Sequence, residues 1–255
     1  MHPAFVHLRF HSEYSITDGI VRLGPAVNKM KEWGIGAFGL TDLMNMFGSV
    51  RFYEQCHKAG IKPILGSDLW ITNDEDRQHP FRLTVYCMNH DGYHSLCVLL
   101  TRAWLENQVV KGRGEVRGEW LQGDGSKGLI ALSGGPEGEV QRLFSRGKPE
   151  RAREAALRLA GCFPDRFYLD LQRAGRPGDE AGVRFLCALA AREGLPVVAT
   201  HPVQFMEAKD FIAHEVRVCI AEGYTLADPR RPRLFTEDQY LKSPQEMIEL
   251  FHDIP

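Results

Sequence analysis

The chain has 255 residues, 44% hydrophobic and 25% charged, which fits one large barrel or two modest domains. Its formal net charge of −2 supplies no general pull towards nucleic acid or an anionic membrane. No apolar run approaches the roughly 18 residues of a membrane span, and "MHPAFVHLRFHSEYS" lacks the charged-then-apolar layout of a secretion signal.

The first predicted strand is "FVHLRF" (5–10), whose alternation puts His7, Arg9 and His11 on one side with Asp18 close behind. Further strands are predicted at "AFGLTD" (37–42), "KPILGSDLWI" (62–71), "FRLTVYCM" (81–88), "GLIALSG" (128–134), "FYLDLQ" (167–172) and "PVVATH" (196–201). Helices are predicted between them at "PAVNKMKEWG", "SVRFYEQCHKAG", "GYHSLCVLLTRAWLEN", "EAGVRFLCALAAREG" and "AKDFIAHEVRVCIAEG". Several of these end at a glycine able to take φ > 0. Strand–helix alternation predicts an α/β fold with parallel pairing, either closed into a (β/α) barrel or left as an open sheet. Polar strand ends at Thr41, Asp42, Asp68, Ser133, Gln172, Thr200 and His201 favour the barrel, whose C-terminal strand ends line one mouth.

Cys56, Cys87, Cys97, Cys162, Cys187 and Cys219 form no C-x-x-C pair, so they read as reduced thiols of a cytoplasmic protein. "KGRGEVRGEWLQGDGSKG" (111–128) reads as a long surface loop, and its spacing is not that of a phosphate loop. The arginines of "DPRRPRLF" (228–235) read as solvated. His90 and His94 read as surface residues, and His7 as a site residue or a core histidine bonded to a backbone carbonyl. The chain stops straight after the helical "EMIELF", and a longer parent is expected.

The opening segment, "LTDLMNMFGSVRFYEQCHKAGIKPILGSDLWI" (40–71), "ALSGG" (131–135), "ATHPVQF" (199–205), "AHEVRVCIAEGYTLADPRRPR" (213–233) and "SPQEMIELF" (243–251) together resemble the polymerase and histidinol phosphatase (PHP) family. The resemblance is to the form carried at the N-terminus of the alpha subunits of bacterial replicative polymerases, and it runs in order along nearly the whole chain. It implies a distorted seven-stranded (β/α)7 barrel, residues 1–255 forming a single domain cut from a much longer subunit. Active PHP members hold about three metal ions through histidines, carboxylates and a cysteine, and so hydrolyse phosphoesters or act as 3′–5′ exonucleases.

Position by position, the resemblance implies a degenerate site of the proteobacterial type. The opening H-x-H reads Arg9-Phe10-His11, and Asp18 is kept. T-D-H-G-N reads Thr41-Asp42-Leu43-Met44-Asn45, so the ligand histidine is Leu43. Asp68 stands for a glutamate, Arg82 for a histidine, Gly135 for the cysteine of S-G-C and Ala174 for another histidine. N-D-x-H reads His201-Pro202-Val203-Gln204, which leaves His201 as one residual donor. Only His11, Asp18 and Asp68 keep a donor of the expected kind. Arginine does not deprotonate in a protein. At 4 Å and an effective dielectric near 20, unit charges repel by about 4 kcal/mol, and a divalent ion beside guanidinium by roughly twice that. Arg9 or Arg82 is therefore expected to pair with Asp18 or Asp68 in place of the ions.

The resemblance further implies a non-catalytic domain with no metal of its own, which supports the other polymerase domains and docks the separate proofreading exonuclease subunit. It would meet DNA only through the whole polymerase, a Mg-dependent nucleotidyltransferase, and would touch no membrane. The alternative is a residual phosphoesterase, pyrophosphatase or 3′–5′ exonuclease using Mn or Zn at His11, Asp18, Asp68 and His201. A direct DNA-binding module is the least favoured, because no basic excess is present.

Overall fold

The computed structural model describes residues 5–110 and 112–254. In chain order the elements are α1 (Leu23–Glu32), β1 (Ala37–Leu40), α2 (Ser49–Ala59), β2 (Lys62–Ile71), β3 (Phe81–Cys87), α3 (His90–Glu106), β4 (Gln108–Val110) and β5 (Arg113–Gly114). There follow β6 (Leu129–Leu132), α4 (Glu139–Ser145), α5 (Pro149–Cys162), β7 (Phe167–Gln172), α6 (Asp179–Glu193), β8 (Val197–Thr200), α7 (Phe211–Glu222) and α8 (Pro244–Leu250). The fold is α/β, with strands hydrogen-bonded in the order β1-β2-β3-β6-β7-β8 and a separate β4-β5 hairpin. The described chain up to Leu65, with Arg173–Pro177 and the stretch from Thr200 on, makes one compact unit; Gly66–Gln172 with Gly178–Ala199 makes another.

In the first unit, β1 lies parallel to the start of β2, Ala37 opposite Lys62 and Leu40 opposite Leu65. Helix α1 buries Leu23, Ala26, Val27 and Met30, a helical spacing, and carries Lys29 and Lys31 where the helix dipole favours cations. Helix α2 buries Phe52 and Cys56 and stops at Gly60, whose φ of 75° is the left-handed cap expected there. Phe10, Phe38 and Phe52 pack ring to ring at 4.8 and 5.4 Å in the core between these elements.

The predicted strand 5–10 is extended but forms only an isolated bridge, Phe10 with Val203. It nevertheless bonds on both flanks: Gly39 N to His7 O (2.8 Å), Thr41 N to Phe10 O (2.9 Å) and His11 N to Val203 O (3.0 Å). A step of two residues, Gly39 to Thr41, answers a step of three, His7 to Phe10, a bulge that breaks the regular ladder. The approach is close enough that a Cβ on Gly39 would lie 2.2 Å from the Leu8 carbonyl oxygen, so only glycine fits.

In the second unit, the expectation of parallel pairing throughout is corrected. Strand β3 runs antiparallel to both β2 and β6, while β6 and β7 are parallel. The cause is the connection: residues 72–80 hold no helix, and a short link between neighbouring strands can only reverse the chain.

Stretch 111–128 is also more structured than a surface loop. Within its described part, β5 pairs with β4 and Val116 bridges Ile71. Glu115, Val116, Leu121 and Ser126 are buried there. Helices α4 and α5 escape the sequence reading. The inner face of α5 is Ala152, Ala155, Ala156 and Leu159, three of them too small to give a strong apolar period.

The arginine-rich 228–235 segment is not wholly solvated either. Arg231 pairs with Glu215 of α7, with side chains only 12% and 4% exposed. No described helix is long and apolar enough to cross a membrane.

Candidate functional site

Within the first unit, His11, Asp18 and Gln204 come together as the sequence suggested. His11 Nδ1 lies 3.0 Å from Asp18 Oδ1 and 3.3 Å from the Gln204 amide nitrogen. A carboxylate only accepts, so Nδ1 is the donor in that contact. Ser15, which sequence reasoning passed over, donates to Asp18 Oδ1 at 2.6 Å and accepts from the Leu43 amide at 3.0 Å. The backbone of the position that lost its histidine thus secures the Asp18 partner. His214 of α7 reaches the Asp18 carbonyl through Nε2 at 2.7 Å.

Asp42 accepts from the Ser12 amide at 2.7 Å and the Ser12 hydroxyl at 2.9 Å. Burial pushes its carboxyl up to about 6, against the downward pull of the Ser12 bonds. Met44 holds a φ of 54° where the family motif has glycine, and is buried there.

His7 and His201 bond to the backbone. Each donates from Nε2 to a backbone carbonyl, His7 to Lys242 at 2.7 Å and His201 to Tyr240 at 3.0 Å. Burial lowers them to about 4 and about 3, so both are neutral near pH 7. Arg9 is 2% exposed, a buried cation on the segment that opens the unit. The Ala174 carbonyl accepts from Thr236 Oγ1, and the Pro202 carbonyl from Gln239 Nε2 at 3.3 Å. Neither Ala174 nor Pro202 has a donor side chain.

Within the second unit, Asp68 and Arg82 are neighbours on facing strands, because Asp68 stands opposite Thr84 and Trp70 opposite Arg82. Arg82 Nη1 donates to Asp68 Oδ2 at 3.1 Å, Thr84 Oγ1 donates to Asp68 Oδ1, and Arg82 Nη2 reaches Glu137 Oε1 at 3.4 Å. The guanidinium also lies 4.0 Å from the Trp70 ring centroid. The ion pair expected from the resemblance is present here. At Gly135, φ is 60° and a Cβ would fall 2.4 Å from Gln172 Nε2. Gln172 itself donates to Asp170 Oδ2 at 2.7 Å, and the Asp170 amide bonds Ser133 Oγ at 2.9 Å. His90 and His94 are exposed on α3.

The family model for the PHP domain matches residues 7–174. The chain belongs to the PHP family. It is 47% identical over 254 residues to the DNA polymerase III subunit alpha of Neisseria meningitidis serogroup A, covering 99% of this chain and 22% of that protein. It is 43% identical over 253 residues to the Escherichia coli K12 subunit, with the same coverages of 99% and 22%. The chain therefore spans about a fifth of the length of these curated relatives. Among solved structures, an amidohydrolase from Chromobacterium violaceum with bound sulfate and no metal shares the fold at a TM-score of 0.52 and 11% identity, over 79% of this chain and 88% of that one. A candidate metal-dependent phosphoesterase from Bifidobacterium adolescentis does so at 0.54, with the same 11% identity and coverages of 79% and 88%.

The donor set does not fit the multinuclear centre of active PHP proteins. Both oxygens of Asp68 are engaged, one by a cation and one by a hydroxyl. Leu43, Gly135, Ala174 and Pro202 offer no side-chain lone pair, and Gln172 occupies the space a cysteine at 135 would need. Among the described residues no group of three or more His, Cys, Asp or Glu is placed to hold a metal ion. The residues around His11 and Asp18 that the sequence did not single out are Ser12, Ser15 and His214. Asp42, by contrast, was marked by its polar strand end and its place within the T-D-H-G-N motif.

Proposed function

We propose that the chain is a catalytically silent PHP domain of a replicative DNA polymerase III alpha subunit. In that role it supports the polymerase domains and docks the proofreading exonuclease subunit in the cytoplasm. The observation that carries this reading is Arg82 in contact with Asp68: a fixed cation already neutralises the carboxylate that a metal would need. Similarity to alpha subunits along 99% of the chain supports the parent assignment. The fold reading that goes with it is a distorted seven-stranded barrel, residues 5–10 acting as the seventh strand. Their hydrogen bonds to both β1 and Val203 support that.

The domain then needs no metal of its own, while the complete polymerase uses Mg. The test is elemental analysis of the purified protein beside a pull-down with the exonuclease subunit. Capture of the exonuclease with less than one equivalent of bound metal is expected. Two or more equivalents of zinc, or no capture, would sink the reading. The paired His11 and Asp18 favour one alternative, a residual Mn- or Zn-dependent phosphoesterase. Metal-dependent phosphoester hydrolysis that disappears in His11→Ala would establish it instead.

A further inference from the structure

Helix α7 presents two faces that differ in composition from an ordinary surface helix. One buries His214, Glu215 and Cys219. Beside it Ile212, Val216 and Ile220, four residues apart, are 61%, 38% and 73% exposed. Side chains at that spacing share one stripe. Exposed leucines at 226 and 234 follow in the connection that Arg231 fastens to Glu215. Ile16, 58% exposed, lies against the helix through its carbonyl, which accepts from Arg217 Nε at 2.6 Å. All six residues are aliphatic.

An exposed apolar stripe of this kind marks a contact with other protein. Its composition separates two sorts of partner. Dissociable interfaces concentrate aromatic and arginine anchors, whereas permanent ones resemble a bisected core. The stripe itself, Ile212, Val216 and Ile220, holds neither an aromatic nor an arginine and matches the permanent kind. The relatives that match 99% of this chain continue for more than three-quarters of their length outside it, so polypeptide joined to this unit is at hand in those proteins.

We propose that the α7 stripe is covered by an apolar helix from another part of the same longer polypeptide. A permanently attached partner never leaves the face bare, and its tether raises its local concentration. The proposal rests on the reading that the chain is part of an alpha subunit, which the intact mass of the native gene product tests separately.

The experiment is carbene footprinting of the intact native subunit with residue-level mass spectrometry. Leu105 and Met88, 80% and 53% exposed on the second unit, serve as references. Labelling at Ile212 and Ile220 is expected to fall about fivefold below the references, as for packed core surface. It should not change on dilution or on adding the exonuclease subunit. Ile220→Glu is expected to restore labelling at Ile212 and to lower the melting temperature of the subunit. Equal labelling at stripe and references overturns the proposal. Protection that vanishes on dilution would assign the face to a second copy. Protection that arises only with the exonuclease would assign it to that partner. Either result overturns it as well.

Discussion

Arg82 and Asp68 hold each other at 3.1 Å with side chains 4% and 0% exposed, so the second unit carries its positive charge on the chain itself. Removing one member of a buried pair leaves the other uncompensated and typically costs about 3–5 kcal/mol. Arg82→Ala is therefore expected to lose stability on that scale in urea unfolding. Asp68→Asn together with Arg82→Met should recover much of it, since Thr84 can still bond the amide oxygen. A single variant as stable as the parent would show that the pair contributes nothing.

Gly135 offers a second measurement. Any side chain there meets both the left-handed backbone and Gln172. Gly135→Cys is expected to cost about 2–4 kcal/mol, combining left-handed strain with overpacking. Gln172→Ala in the same chain should return part of that loss. A double-mutant cycle with no coupling would contradict the steric account.

Stability should depend on pH with a definite sign. His7 and His201 are lowered by burial to about 4 and about 3, below the ordinary 6.5, so they favour the folded state fully only above about pH 6.5. As pH falls below that, the unfolded chain takes up the protons first. Each then costs about 2 kcal/mol at pH 5. Asp42, raised to about 6, acts in the opposite sense, since its buried acid form is favoured at low pH. The net fall between pH 7 and pH 5 is expected to be on the order of 2–3 kcal/mol from these groups. His7→Gln with His201→Gln should flatten the profile over that range, which chemical denaturation at each pH would read directly.

Arg231 and Arg230 are adjacent in sequence and differ in consequence. Arg231 is nearly buried against Glu215, while the Arg230 side chain is 81% exposed beside Asp228. Arg231→Ala is expected to destabilise by about 2–4 kcal/mol and to open residues 225–235 to limited proteolysis. Arg230→Ala should leave both readings unchanged. Equal cleavage in the two variants would deny the pair its role as a fastening.

Much of this was legible in the sequence. Six of the predicted strands stand where their apolar runs and flanking turn residues put them, and α1, α2, α3, α6 and α7 occupy their expected stretches. His11 and Asp18 could be paired because the motif keeps both. Strand direction at β3 could not be read, because it depends on how 72–80 turns rather than on any periodicity. The alanine face of α5 gave too little contrast. His214 reaches Asp18 across a separation of 196 residues, which no local pattern encodes, whereas Gln204 was placed beside His11 only through the family motif. Gln172 filling the space above Gly135 is likewise a through-space fact, invisible until the chain is folded.

The β2–β3 hairpin has a consequence for synthesis. Asp68, Arg82 and Thr84 lie within 16 residues of one another, and a hairpin of that length closes in microseconds, far faster than a ribosome adds residues. The acid and its guanidinium partner thus come from one local hairpin rather than from distant parts of the chain. Settling that charge calls on neither an ion nor the distant end of the chain.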